Sequence, residues 1–253
     1  MTSAVATSPM KLLIPRSRGD SVWAYTSNFG GGLVAGDQTE LEIHTAPETR
    51  CFLGTQSSTK IYRNPDAAPC GHFTRAHLES NSLLVFVPDP VQAFAQSHYV
   101  QRQEFHLAAN ASLVLLDWFS AGRVARGERW EFSCLQSRNE VFCAGERVFL
   151  DSLLLDASCG TLNSPHRTGR FNCFLTLFVF GERLAGAAQA ILSAVSSRPV
   201  ERHAPLVCCV SQIRNGLVLW LAAESMTGAA HELQTHLDHF IPLLGDNPWS
   251  RKW

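Results

Sequence analysis

A run of glycines that ends in a carboxylate is the first place where residue types and spacing could do chemistry. Residues 30–37 read GGGLVAGD, and Gly31 and Gly36 have the spacing of the two glycines in a phosphate-binding loop. That motif continues with a lysine and a helix, whereas Asp37 and a strand pattern follow here. Because a carboxylate repels phosphate, we predict a tight strand connection, in which glycine permits positive φ and close backbone approach, with Asp37 capping the turn.

Two further groups of charged residues lie downstream of the glycine run. Arg123, Arg126 and Glu128 fall within residues 122–132, GRVARGERWEF. If this segment is extended, Arg126 and Glu128 share a side, and a bidentate pair would order the loop or present a fixed surface to a partner. An ordinary ion pair is the alternative interpretation.

Lys60, Tyr62 and Arg63 form the other charged group, in the stretch TQSSTKIYR at residues 55–63. Tyrosine and arginine are enriched in the cores of protein interfaces, which favours a partner contact over a plain polar loop.

A possible metal site lies near the C-terminus. Residues 227–241 have helical apolar periodicity, with Thr227 as the predicted N-cap and Pro242 as the stop. In a continuous helix Glu232, His236 and His239 would share one flank and could bind a divalent metal. A solvated face with a Glu–His pair is the alternative.

The eight cysteines indicate neither a disulfide framework nor a thiolate metal site. No CxxC occurs, and the adjacent Cys208 and Cys209 should point to opposite faces of a strand. We expect most of the cysteines to be small buried hydrophobic residues.

Composition excludes several classes of function. The 253 residues are 45% hydrophobic and carry a formal net charge of −1, which gives no electrostatic basis for binding nucleic acid or an anionic membrane. The longest apolar run, residues 217–223, is too short to span a membrane, and no secretory signal is present. We therefore expect a cytoplasmic protein.

Short strands dominate the first two thirds of the chain. Alternating or apolar stretches bounded by turn residues indicate an all-β stack, barrel or sandwich. The predicted strands are residues 39–45, 51–55, 72–79, 82–88, 98–108, 112–119, 129–136, 147–155, 206–213 and 217–223. Helical periodicity is confined to residues 182–195 and 227–241, and no linker divides the chain, so we predict one domain spanning residues 1–253.

Three stretches read together resemble the urease accessory protein UreD (UreH) family. They are GGGLVAGD (30–37), TQSSTKIYR (55–63) and GRVARGERWEF (122–132), with Pro88-Asp89-Pro90 and Phe94 between the last two. The resemblance implies a mainly β, single-domain, β-helical or stacked-sheet fold with two α-helices in the last third. It also implies a non-catalytic scaffold that binds urease apoprotein together with UreF and the GTPase UreG and assists nickel insertion.

The resemblance further implies a nickel ion in transit rather than a stably bound cofactor. An ion that passes needs a weak, polar path with a few carboxylates, and Asp37 and Glu128 are the candidates. Two alternatives remain: a binding module without a metal role, and a carbohydrate-acting hydrolase that uses Asp37 and Glu128 as an acid–base pair. Only Trp118 and Trp130 would serve such a hydrolase as aromatic platforms.

Overall fold

Sixteen strands build the residues that the computed structural model describes, which are 3–16, 19–64 and 68–251. They are β1 (Met10–Leu13), β2 (Val22–Asn28), β3 (Gly32–Leu33), β4 (Gln38–Thr45), β5 (Arg50–Thr55), β6 (Thr59–Ile61), β7 (Cys70–Leu78), β8 (Leu83–Val87), β9 (Val91–Ala93), β10 (His98–Leu107), β11 (Ser112–Ser120), β12 (Cys134–Cys143), β13 (Glu146–Asp156), β14 (Cys173–Phe180), β15 (Leu206–Ile213) and β16 (Gly216–Ala223). The helices α1 (Ala185–Ser196), α2 (Met226–Leu237) and α3 (Ile241–Leu244) all lie in the last third.

The eleven strands from β2 to β12 wind as a parallel solenoid, with three strands in each of the first three coils. The coils are β2–β3–β4, β5–β6–β7 and β8–β9–β10, and β11 and β12 form most of a fourth. Equivalent strands pair in parallel from coil to coil, as in β2–β5–β8–β11 and β4–β7–β10–β12. Parallel in-register stacking places residues of successive coils directly opposite one another, so one residue type can form a row along the solenoid.

Antiparallel strands close the solenoid beyond its fourth coil. Strand β13 pairs with β12 and ends the five-stranded sheet β13-β12-β10-β7-β4. Strand β14 pairs with β11 and continues the larger sheet through β16 to β15. The two sheets therefore enclose the solenoid interior on one side and diverge where β13 faces β14 and β16.

Apolar residues fill both sides of the larger sheet. Its inner face packs Phe86, Phe105 and Phe178 between the sheets, and its outer face receives α1 and α2. Ile191 of α1 and Leu233 of α2 are at most 4% exposed in that outer core. The helices thus cover the apolar outer face, and the expected mainly β fold with helices in the last third is confirmed.

Two predicted boundaries were wrong for identifiable reasons. The strand expected at residues 129–136 begins only at Cys134, because Trp130 has a positive φ of 56° and residues before Cys134 follow an irregular path. The helix expected at residues 227–241 ends at Leu237, and its N-cap is Ser225, whose Oγ accepts from the Gly228 amide at 3.0 Å. Pro242 lies in the first turn of α3, where its missing N–H costs nothing.

Candidate functional site

The glycine run is a tight corner of the first coil. Gly30, Gly31 and Gly36 have φ values of 78°, 74° and 80°, and a Cβ on Gly32 would lie 2.3 Å from the Lys60 carbonyl oxygen. Asp37 Oδ2 accepts a hydrogen bond from the Val34 amide at 2.9 Å. The prediction of positive φ, close backbone approach and an Asp37 turn cap is therefore confirmed.

Residues from four successive coils contact one another to form what we call the solenoid edge, comprising Gly30, Tyr62, Phe94, Arg123 and Glu128. Gly30 precedes the middle strand of its coil, whereas Tyr62 and Phe94 follow theirs. Tyr62 donates its hydroxyl to the Gly30 carbonyl at 3.0 Å and packs edge-on against Phe94 at 5.5 Å between ring centroids. The Arg123 guanidinium lies 4.3 Å from the Phe94 ring centroid. Four stretches that are far apart in the sequence thus contact one another in a single column.

Arg123, and not Arg126, is the partner of Glu128. Arg123 donates to Glu128 through Nε at 3.0 Å and through Nη2, and the Ala95 amide donates to the same carboxylate at 3.2 Å. Hydrogen bonding from Arg123 holds the Glu128 pKa below its usual value. The extended path assumed for residues 124–128 was wrong: residues 124–126 form a 3₁₀ turn that ends at Gly127 with φ 84°.

Charged and apolar side chains flank the solenoid edge on the surface. Lys60, Arg63 and Arg126 are exposed, and Phe29 and Val34 are 52% and 51% exposed. Exposed apolar side chains beside arginine and tyrosine resemble the composition of a protein interface.

A second set of polar residues, which the sequence analysis did not single out, lies between the sheets. Asp117 of β11 is 5% exposed and accepts hydrogen bonds from three neutral side chains. Gln101 Nε2 donates at 2.8 Å, Ser137 Oγ at 2.7 Å and Asn139 Nδ2 at 2.7 Å. Burial raises the pKa of Asp117 in spite of these bonds, and the nearby Asp151 raises it further.

The row continues on either side of Asp117. Asp151, on β13, hydrogen-bonds with Thr176 and Asn139, and burial raises its pKa as well. In the other direction His72 contacts Thr39 Oγ1 through Nδ1 at 2.7 Å, and burial lowers its pKa to about 4. We call these residues the interior row: His72, Gln101, Asp117, Ser137, Asn139, Asp151 and Thr176.

Asp117 lines two cavities. The first, about 50 Å³, is lined by His72, Gln101 and Asp117 and also by Asp89 of the Pro88-Asp89-Pro90 segment. The second, about 350 Å³, lies where the sheets diverge and is lined by Asp117, Asp151 and Thr176 together with apolar residues such as Trp220. Neither lining, as the described residues outline it, includes Asp37 or Glu128.

One sequence signal could have indicated the interior row. Asp117 is the single charged residue in the strand SLVLLDWFS, in which every residue is buried. A lone carboxyl in an apolar run must find hydrogen-bond donors, and these come from Gln101 of β10 and from Ser137 and Asn139 of β12. Only the coil register, which the sequence did not provide, brings those donors to Asp117.

The three side chains proposed as a metal site do not converge. Glu232 Oε1 lies 3.2 Å from His236 Nε2, but Glu232 also pairs with Arg198, and His236 is 2% exposed whereas His239 faces solvent. Because α2 ends at Leu237, His239 belongs to a 3₁₀ turn and leaves the helical flank. Across residues 3–16, 19–64 and 68–251, no group of three or more His, Cys, Asp or Glu side chains is arranged so that it could hold a metal ion.

The cysteines and tryptophans also bear on the alternatives. All eight cysteines are free, and burial raises the pKa of Cys70 and Cys173 to about 12, so these two thiols stay protonated. Trp118 and Trp130 are 7% and 3% exposed, and neither offers a saccharide a platform. None of the described helices has the length and apolar character needed to cross a membrane.

Comparison with known proteins gives a consistent result along the whole chain. A profile of the UreD urease accessory protein family matches residues 1–253. The urease accessory protein UreD of Sorangium cellulosum (strain So ce56) is 42% identical over 100% of this chain and 80% of its own length. That of Anaeromyxobacter sp. (strain Fw109-5) is 35% identical, covering 99% of this chain and 84% of its own.

The similarity extends to plants. Urease accessory protein D of Arabidopsis thaliana is 28% identical over 98% of this chain and 94% of its own length. Relatives from bacteria and plants share the accessory role in their names, so the hydrolase alternative is wrong and the chain is not an enzyme. The chain belongs to the UreD family of urease accessory proteins.

Proposed function

We propose that this chain is a scaffold that binds urease apoprotein together with UreF and UreG in the cytoplasm and passes nickel toward the urease active site. The observation that carries the proposal is the interior row, in which the buried carboxyl of Asp117 lines two cavities. Eight free cysteines fit a reducing compartment.

The chemistry of the interior row suits a cation that passes and does not stay. Carboxyl oxygens, amide oxygens and one imidazole line it, and nickel accepts both oxygen and imidazole ligands. His72 remains neutral at physiological pH because its pKa is lowered to about 4. Its Nδ1 and Nε2 contact Thr39 Oγ1 at 2.7 Å and Thr74 Oγ1 at 3.2 Å, so a passing cation would have to displace one of these contacts.

Asp117 and Asp151 could hold a cation only in their ionised form. Their raised pKa values favour the neutral form, and metal ligands must be deprotonated. Because a proton and the metal ion compete for the same carboxylate, the metal affinity at any single position stays low. A path that must release its ion requires such low affinity.

The solenoid edge is the surface we assign to partner binding. Asp37, Lys60, Tyr62, Arg63, Arg123, Arg126 and Glu128 all lie on or beside it. Asp37 and Glu128 already have local hydrogen-bond donors, so we assign them to holding this surface in shape and not to the ion path.

Co-expression tests the proposal. Urease apoprotein, UreF and UreG are produced with or without this chain in medium containing nickel, and complexes are isolated through a tag on the chain. We expect all four proteins in one complex and urease activity only when the chain is present. Failure to recover the partners, with urease activated equally in the absence of the chain, would refute the proposed function.

A further inference from the structure

The last strand of the smaller sheet has a free edge. Strand β13 pairs with β12, and no strand in the described part of the chain pairs with its other side. The Ala157 amide donates to the Ser133 carbonyl across the β12–β13 ladder. Because backbone groups alternate in direction along an antiparallel ladder, the amides and carbonyls of Leu150 and Leu154 point away from β12. This edge can therefore accept another strand.

The free edge is apolar and lacks the residues that usually protect such a strand. Residues 150–155 read LDSLLL, and Leu150 and Leu154 on the outer face are 43% and 59% exposed. Neither a lysine nor a proline lies in this segment, and the register shift of β13 falls before it. Natural proteins normally block a free edge with such residues or with a bulge. An unprotected apolar edge is typical of a strand that another strand covers.

The larger sheet extends past this edge and forms a floor beneath it. Strand β13 lies over β14, since Phe149 stacks on Phe178 with ring centroids 4.5 Å apart. Beyond β14 the larger sheet continues through β16 and β15. Their inner face carries Trp220, which is 38% exposed, directly opposite the exposed Cys209. We call the space between residues 150–155 and this inner face the strand slot.

The cavity of about 350 Å³ forms the deep side of the strand slot. Leu153 and Leu155 of β13 line it on one side, and Trp220 lines it on the other. One end of the slot is closed, because Glu146 at the start of β13 forms an ion pair with Arg214 of the β15–β16 turn at 3.0 Å. Cavities above about 300 Å³ are large enough to hold a ligand. The slot is therefore apolar, closed at one end and open to solvent along β15.

We propose that the strand slot binds an extended segment of another protein, about six residues long, that adds to the free edge of β13. Adjacent strands lie about 4.8 Å apart, so a strand added to β13 lies over β16. Every second side chain of the segment then points into the cavity against Trp220 and must be apolar. The alternate side chains face outward beside Leu150 and Leu154. Backbone hydrogen bonds to β13 provide affinity, and the cavity selects the side chains.

The shape of the strand slot excludes two other occupants. A helix could cover Trp220, but it would bury the edge of β13 without giving the backbone amides and carbonyls of that edge any partner. A second copy of the chain cannot pair its own β13 with this one, because β16 and β15 of both copies project past the edge on the same side and would overlap. A single extended segment both pairs with β13 and fits over the floor.

A designed peptide tests the proposal on the full-length chain. The peptide has seven residues, alternates threonine and leucine between a lysine at each end, is blocked at both ends and carries a fluorophore. We expect fluorescence anisotropy to show binding with a dissociation constant below about 1 mM. The same peptide with N-methylated backbone amides keeps the side chains but cannot pair with a strand, so it should bind at least about tenfold more weakly.

Substitutions in the chain separate backbone pairing from apolar contact. Leu154→Pro removes an amide that points away from β12, so the β12–β13 ladder remains and peptide binding should weaken at least about tenfold. Leu154→Thr keeps that amide and should change the affinity less than about threefold. Trp220→Thr removes the aromatic contact in the cavity and should weaken binding at least about tenfold. Val200→Thr, at an exposed residue outside the cavity lining, should leave binding unchanged.

Several results would overturn the proposal. They are wild-type affinity in folded Leu154→Pro or folded Trp220→Thr, equal binding of the N-methylated peptide, and no binding of the unmodified peptide. The thermal midpoint of each variant confirms that it is folded, and the peptide comparison decides the matter if Leu154→Pro does not fold. Tighter binding of a helical peptide, or a dimer of the chain in light scattering that Leu154→Thr keeps and Leu154→Pro abolishes, would assign the slot to another occupant and also overturn it. Because neither nickel nor a urease protein is used, the result does not depend on the function proposed above.

Discussion

Asp117 in the interior row and Glu128 on the solenoid edge are both carboxyls held by hydrogen bonds, yet their surroundings favour opposite charge states. Neutral donors surround Asp117 inside the sheets, and burial raises its pKa. A guanidinium holds Glu128, and its pKa is lowered. Hydrogen bonds alone therefore do not determine the charge of a carboxyl; the compensating charge and the access of water do.

This difference assigns the two regions different tasks. Arg123 already compensates the charge of Glu128, so Glu128 offers a cation no uncompensated negative charge. An ionised Asp117 has no cationic partner among its hydrogen-bond donors, so a passing metal ion would supply the missing positive charge. Under the function proposed above, the edge keeps the partner-binding surface in shape and the interior passes the ion.

The largest expected effect concerns the neutral state of His72. Its folded pKa of about 4 lies below the unfolded value of 6.5, so the unfolded chain binds more protons between these values and stability falls as the pH drops through them. The loss approaches about 3 kcal/mol at pH 4 relative to His72→Gln. Urea unfolding of the wild type and of His72→Gln between pH 7 and pH 4 measures this loss of stability, and His166→Gln, at an exposed histidine, is the control. Parallel stability curves for wild type and His72→Gln would show that the interior does not hold this ring neutral.

The second prediction tests how closely the backbones of successive coils pack at the solenoid edge. Gly32→Ala should lower the free energy of unfolding by about 2–3 kcal/mol, because the new Cβ meets the Lys60 carbonyl oxygen. Gly30→Ala is the matched control, because no atom lies within 4 Å of the position of the new Cβ. The positive φ of residue 30 alone should lower the free energy of unfolding, by about 1 kcal/mol. Equal losses in the two variants would mean that coil spacing at the edge is not set by Gly32.

A smaller effect is expected from the ion pair itself. Glu128→Gln should cost about 0.5–1 kcal/mol at pH 7, as for other partly exposed pairs. Since the folded pKa of Glu128 is lowered, the advantage of the wild type is present above the unfolded pKa and disappears as the pH falls through the folded one. Chemical unfolding at pH 7 and at pH 3 measures this, and a difference that persists unchanged at pH 3 would contradict the ion-pair explanation.

The smallest effect is expected at Asp37. Asp37→Ala removes one acceptor of a turn amide and should cost about 0.5 kcal/mol, because the Val34 amide is exposed and can turn to water. Asp37→Asn, which keeps an acceptor oxygen, should be close to wild type in thermal unfolding. A large loss of urease activation in folded Asp37→Ala would instead indicate that Asp37 lines the ion path.

Much of the fold could be predicted from local patterns, whereas the interior row could not. Strand β10 alternates over ten residues, and its prediction is confirmed, because one face is buried and the other is solvated. The strand expected at residue 129 was wrong because the backbone at Trp130 leaves the β region, which residue types do not reveal. The hydrogen-bond donors to Asp117 lie on other strands, 16 to 22 residues away in the sequence, and only the register of the strands brings them together.

The nickel content of urease, purified after co-expression with chain variants, tests the central claim most directly. Asp117→Asn keeps the shape of the side chain but removes its ability to ionise, and Glu128→Gln does the same at the edge. The account predicts that both variants are recovered with urease apoprotein, UreF and UreG, and that only Asp117→Asn lowers nickel per urease active site, by at least about tenfold, the loss typical when a metal-binding group is removed. Normal nickel content with Asp117→Asn would contradict an ion path through the interior row.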